Sequence, residues 1–307
     1  MGRLPLFAIL ASVALLASQV VLAQSERSAP VLLAEITGVI GPPAAHHVET
    51  AIAAAEERNA EALILQINTP GGLETSMRDI IESVLASNVP VIGYVAPSGG
   101  RAASAGAFIM YSTHVAAMAP GTNIGAATPV QLSGSAAPPP TPTGEPEAER
   151  EAPTNSDALD RKAVNDAAAF IRSLATLRGR NADWAERAVR QGEAVSASEA
   201  LELGAIELIA DDLEALMAQL NGRTVVMPSG ERTLSTQGKL IERIEPSFVT
   251  QALGILANPN VAFLLMLIGL YGVIYEFASP GSIGPGVLGA ICLVLGLYAL
   301  NQLPLNY

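Results

Sequence analysis

Two glycine pairs, Gly71-Gly72 and Gly99-Gly100, each follow a short apolar run, and Ser104 comes just after the second pair. Glycine lets a backbone approach a ligand closely and leaves its amide N–H bare. The neighbours of Ser104 are all small: Ala102, Ala103, Ala105 and Gly106. A helix starting here would favour developing negative charge at its N-terminus. The pattern suits a serine nucleophile beside an oxyanion hole, with backbone donors at Gly71 or Gly72 and at Ala105. The same residues also suit plain tight packing of a helix on a sheet.

A serine nucleophile needs a base. The chain has three histidines. His114, ten residues past Ser104, falls beside the next apolar run and reads as structural, while His46 and His47 read as helix surface or loop. A Ser-His-Asp triad is therefore poorly supported. Lysine is the other option. Of 17 basic residues only two are lysines, Lys162 and Lys239. Arginine keeps its proton in proteins, whereas a lysine in an apolar site can give it up. Lys162 stands in Asp160-Arg-Lys-Ala-Val-Asn-Asp166, 58 residues after Ser104. Its bland reading is an exposed helix residue paired with Asp166 at i+4. Lys239 lies in a polar stretch with no such context.

The elements that must position these groups alternate between strand and helix patterns. Strands are expected over Val31–Ile36, Ala62–Ile67, Val89–Val95 and Val115–Met118, with helices over His46–Arg58 and Glu74–Ala86 and one carrying Ser104. This spacing implies parallel β-α units, hence an α/β domain over residues 24–220. Residues 129–158 interrupt it with seven of the 21 prolines and four glutamates, a low-complexity insertion. Helices resume over Asp157–Leu177, Ala182–Arg190 and Asp211–Leu220. Residues 221–257 read as a linker holding a small hairpin about Pro228-Ser-Gly230.

Both ends of the chain are apolar. Residues 1–23 read as a signal peptide, with Arg3 before an apolar stretch and Val21-Leu22-Ala23 as the cleavage site; an uncleaved anchor is the alternative. Within 258–307, the runs 261–277 and 286–303 flank a turn-rich link, and Glu276 is the only ionisable side chain beyond Ser247 other than tyrosine and Cys292. They read as a membrane hairpin whose α/β domain lies on the exported side.

Composition agrees with that division. Charged residues make up 15% of 307 and the net charge is −12, which argues against nucleic acid and against docking on anionic lipid through a basic patch. One cysteine, Cys292, excludes an intramolecular disulfide and a cysteine metal cluster, and nothing in the sequence asks for a cofactor.

The motifs Asn68-Thr-Pro-Gly-Gly72, Gly99-Gly-Arg-Ala-Ala-Ser-Ala-Gly106, Met118-Ala-Pro-Gly-Thr-Asn-Ile-Gly125 and Lys162–Arg172 resemble those of the NfeD family of membrane-bound serine proteases. Asn258–Leu264 and Tyr275–Gly281 extend the resemblance into the membrane part. It implies a ClpP/crotonase fold of repeated β-β-α units, with Ser104 as nucleophile, Lys162 as general base and the Gly71-Gly72 amides at the oxyanion site. It also implies cleavage within hydrophobic segments, a stomatin-like membrane protein as substrate or partner, and a homo-oligomer. Long family members continue to a C-terminal OB-fold barrel that this sequence lacks. Two other functions stay open: a non-catalytic membrane scaffold, and a crotonase-type enzyme acting on acyl-CoA thioesters.

Overall fold

The computed structural model describes residues 29–129, 155–256, 258–278 and 284–302. The expected signal peptide and most of the 129–158 insertion lie outside the described residues.

The chain begins with β1 (Val31–Thr37), α1 (Pro42–Glu57), β2 (Ala62–Asn68), α2 (Glu74–Ala86) and β3 (Val91–Val95). Next come β4 (Arg101–Ala103), α3 (Ala105–Ser112), β5 (Val115–Met118) and β6 (Asn123–Gly125). Then follow α4 (Asn155–Arg178), α5 (Ala182–Arg190), β7 (Ala194–Ser196), α6 (Ala197–Glu202), β8 (Leu208–Ile209) and α7 (Leu213–Leu220). The remaining elements are β9 (Thr224–Met227), β10 (Gly230–Thr233), β11 (Ile241–Arg243), α8 (Phe248–Leu256), α9 (Pro259–Ala278) and α10 (Gly284–Gln302).

Six strands form one parallel sheet in the order β11-β1-β2-β3-β5-β8. Its inner strands are continuous apolar runs because helices or a hairpin cover both faces. Alternate side chains divide between two cores. Leu63, Leu65 and Ile67 join Val48, Ile80, Ile109 and Ile171 on the helical side. Ile64 and Tyr94 join Leu216, Val225 and Met227 on the other. The α/β class expected from the alternation is the class observed. Residues 221–257 do more than link: β9 and β10 pair antiparallel and cover the second core, and β11 extends the sheet beside β1. Helix α1 starts at Pro42 rather than near His46, because proline suits the first helical turn, where no N–H bond is needed.

A smaller three-stranded sheet, β4-β6-β7, stands at the strand ends. Arg180 anchors the other end of the main sheet, where α3 turns into β5. This buried guanidinium donates to both carboxylate oxygens of Glu207, at 2.7 and 2.9 Å, and to the Met110 and Thr113 carbonyls. Glu207 in turn accepts from the Ala116 amide. The C-terminal end of α3 is thus tied to β5 and β8.

Helices α9 and α10 pack antiparallel along small residues: a Cβ placed on Gly289 would lie 2.8 Å from the Gly269 carbonyl oxygen. Outward, Phe263, Tyr271, Phe277, Leu288 and Val294 are exposed. Asn260–Ala278 is long and apolar enough to cross a membrane, and Gly284–Leu300 is a shorter apolar helix. Glu276 turns inward, and its Oε2 is buried against Gly286 of the neighbouring helix.

Candidate active site

Ser104 links β4 to α3 and occupies the N-cap with φ +52° and ψ −117°. A non-glycine residue at positive φ is strained by about 1–3 kcal/mol and persists only where its surroundings hold it. Here they do. The Ser104 N–H donates to the Gly125 carbonyl, and its own carbonyl accepts from the Ala107 N–H, both at 3.0 Å. A serine at this position ordinarily spends its hydroxyl capping the helix. Ser104 makes no such bond, and it lines a cavity instead.

The loop after β2 is stitched to the strand before Ser104. The Thr69 N–H donates to the Arg101 carbonyl and the Ala103 N–H to the Thr69 carbonyl, while Asn68 Oδ1 accepts from the Arg101 N–H. Gly71 then turns at φ +116°. Its N–H donates to Thr69 Oγ1 at 3.0 Å, so it is not available to an oxyanion. The Gly71 carbonyl accepts from Ile40, and the Leu73 N–H donates to Ile40 on the other side. Two of the three expected donors are left. Among the described residues neither the Gly72 nor the Ala105 N–H has a partner, and both residues line the cavity with Ser104. The Ala105 amide is bare because it opens a helix. Gly71 has a different part: a Cβ there would lie 2.6 Å from Ser104 Cβ and 3.1 Å from Oγ, so its bare backbone is the surface against which Ser104 rests.

The cavity measures about 530 Å³. Its walls are apolar, from Val39, Leu73, Met77, Phe108, Ala127 and Phe170. Phe108 and Phe170 stack with ring centroids 6.0 Å apart, which docks α4 on α3. Arg78 sits at the rim, 4.5 Å over the Phe170 ring, and pairs with Glu74 at 2.8 Å and Asp166 at 2.5 Å. Asp166, the i+4 neighbour of Lys162, is thus engaged with α2.

Lys162 itself is exposed and does not line the cavity. It precedes Ala167 and Phe170, which do, by roughly 7.5 and 12 Å along α4 at 1.5 Å per residue. The structure therefore brings together Ser104, Gly71, Gly72 and Ala105, and sets Lys162 on the helix that forms one wall. Lys239 is occupied elsewhere: its Nζ donates to Glu61 at 3.2 Å and to the Ala29 carbonyl at 3.1 Å. None of the three histidines lines this cavity. His114 accepts from the Val91 N–H through Nδ1, and burial, reinforced by the Arg178 and Arg180 charges, pushes it down to about 3. His47 faces a separate cavity, and burial lowers it too, against the opposing pull of Glu245. Sequence reading missed Thr69, Arg78, Phe108 and Phe170. Each comes from a different segment, and only the i, i+4 spacing of Glu74 and Arg78 left a local trace.

Residues 34–224 match the model of the NfeD1b N-terminal domain, and residues 260–307 match the NfeD integral membrane domain. The chain belongs to the NfeD family. The first match takes in the Ser104 cavity and the second the α9–α10 pair, so this NfeD chain is a membrane protein. It is 34% identical over 281 residues to membrane-bound protease PH1510 of Pyrococcus horikoshii, covering 90% of this chain and 59% of that protein. It is 29% identical over 257 residues to membrane protein NfeD1b of Bacillus subtilis, covering 80% of this chain and 50% of that protein. It thus spans between half and three-fifths of these relatives. Among solved structures it is similar to the membrane-bound stomatin-specific protease 1510-N. A lysine-to-alanine mutant with a substrate peptide gives a TM-score of 0.62 at 34% identity, covering 74% of this chain and 97% of that one. A serine-to-alanine mutant gives 0.60 at 34% identity, covering 71% and 99%.

Proposed function

We propose that this NfeD protein is a membrane-anchored serine endopeptidase that uses Ser104 as nucleophile and Lys162 as general base. The observation that carries the reading is the strained, non-capping Ser104 set beside two bare amides in an apolar cavity. Ser104 Oγ attacks the scissile carbonyl carbon, and the uncharged Lys162 amine takes its proton. The Gly72 and Ala105 N–H groups hold the resulting oxyanion. Collapse breaks the C–N bond, with the proton passing from Lys162 to the leaving amine. Water then attacks the acyl-Ser104 carbonyl as Lys162 accepts its proton, and the C–Oγ bond breaks as Lys162 returns that proton to Ser104 Oγ. Because Lys162 is exposed, the substrate peptide laid across the cavity completes the dyad by covering the amine and excluding water.

The cavity walls suit apolar side chains, so the substrate is a protein segment with an apolar run. The relatives described as stomatin-specific support a stomatin-like protein as that substrate. We place the domain on the exported side of the membrane, with α9 and α10 as two crossings.

The test is cleavage of a peptide carrying an apolar run. Ser104→Ala should abolish turnover. Retention of full cleavage by Ser104→Ala would show that the chain is no Ser104 protease.

A further inference from the structure

Helix α8 is built the wrong way round for a helix of a soluble domain. Its sequence, Phe248-Val-Thr-Gln-Ala-Leu-Gly-Ile-Leu256, contains no charge. Thr250 is its buried residue, and Thr250 and Gly254 line the cavity against α1. Phe248, Val249 and Ile255 point away and are 85%, 53% and 61% exposed. At 100° per residue these three fall within an arc of about 120°, and Thr250 and Gly254 fall on the opposite side. Thr250 and Gly254 thus face the protein and the apolar stripe faces out.

Continuity identifies what covers the stripe. Only Ala257 and Asn258 separate α8 from α9, and α8 touches α1 as well as both α9 and α10. The exposed stripe therefore continues directly into the family's membrane domain. The cavity under α8 also shares Val39 and Leu73 with the Ser104 cavity, and Val39 is 62% exposed.

We infer that α8 lies in the bilayer interface with Phe248, Val249 and Ile255 in the acyl boundary, and that it holds the Ser104 cleft at the membrane surface. An uncharged helix of this kind binds by buried apolar area, reaching about 5–10 Å into the headgroup–acyl boundary, without needing anionic lipid. Resting on the proteolytic reading of Ser104, this narrows the substrate to segments presented at the bilayer surface.

The test uses the full chain in phosphatidylcholine nanodiscs, with Cys292→Ala and one nitroxide-labelled cysteine at Phe248→Cys or Ile255→Cys. Glu231→Cys, on exposed β10, is the aqueous reference. Both α8 labels should be relaxed by oxygen and shielded from a water-soluble nickel chelate. Chelate accessibility equal to the reference overturns the inference. Shielding that is lost when each disc holds a single chain assigns the stripe to a second copy, and also overturns it. For the substrate, Phe248→Glu should lower cleavage of a lipid-anchored peptide about tenfold relative to the same peptide in solution. An unchanged ratio refutes the substrate assignment. If Ser104→Ala leaves cleavage intact while the labels remain shielded, the protease reading has failed and the interfacial helix stands.

Discussion

Replacing Gly71 by alanine should disable the nucleophile without unfolding the domain. Two effects separate cleanly. The first is backbone strain: alanine at φ +116° occupies a region that L-residues rarely adopt, at a cost of about 1–3 kcal/mol. The second is contact. The new Cβ would lie 2.6 Å from Ser104 Cβ, whereas carbon atoms settle at about 3.5–4.0 Å, so Ser104 must move by roughly 1 Å. A displacement of that size typically lowers turnover by about 10²-fold. Gly99→Ala isolates the first effect, since Gly99 has φ +86° with nothing within 4 Å of its added Cβ. Thermal unfolding in detergent should show both variants folded, with the larger loss for Gly71→Ala, which adds the contact to the strain. Peptide cleavage should fall about a hundredfold for Gly71→Ala and stay close to the parent rate for Gly99→Ala. Parent-level cleavage by Gly71→Ala would refute the claim that the Gly71 backbone seats the nucleophile. Equal loss in both would assign the effect to strain alone.

Arg180→Met leaves Glu207 without its guanidinium beneath α3, and should cost about 3 kcal/mol, read from denaturant melts of the full chain. His114 predicts a pH effect with a defined sign. The native imidazole binds a proton only near pH 3, against 6.5 for an ordinary histidine, so the unfolded chain binds more protons in between. Its contribution is complete above pH 6.5 and declines toward pH 3, by up to about 1.4 kcal/mol per pH unit. His114→Asn, whose Oδ1 can accept from Val91, should flatten stability between pH 6 and about pH 4 relative to the parent; an unchanged slope contradicts the assignment. Gly289→Leu should part α9 from α10. In a Cys292→Ala background, a Met266→Cys and Gly296→Cys pair should then lose its disulfide cross-link.

Much of the frame was legible in the sequence. The inner strands are unbroken apolar runs, and the glycine pairs mark the strand ends where Ser104 stands. The edge strands β8 and β11 were not, because two or three residues carry no periodicity and their place depends on partners far along the chain. Residues 42–45 were hidden by their prolines, which end a helix in its interior but open one at its first turn. At the site, residue types pointed to Ser104 and to three backbone donors. Which amides stay bare depends on Thr69 Oγ1 binding Gly71, a fact of three-dimensional geometry. The Arg78–Asp166 pair was hidden for the same reason, its partners being 88 positions apart.

The central claim is that Lys162 activates Ser104, and the rate at which a fluorophosphonate acylates the full chain tests it most directly. The adduct should map to Ser104. Lys162→Arg, which keeps the charge and removes the base, should slow labelling by about 10²–10⁴-fold, while Lys239→Arg, whose residue is paired with Glu61, should label at the parent rate. Equal rates for the two variants, or an adduct on another serine, would contradict the account.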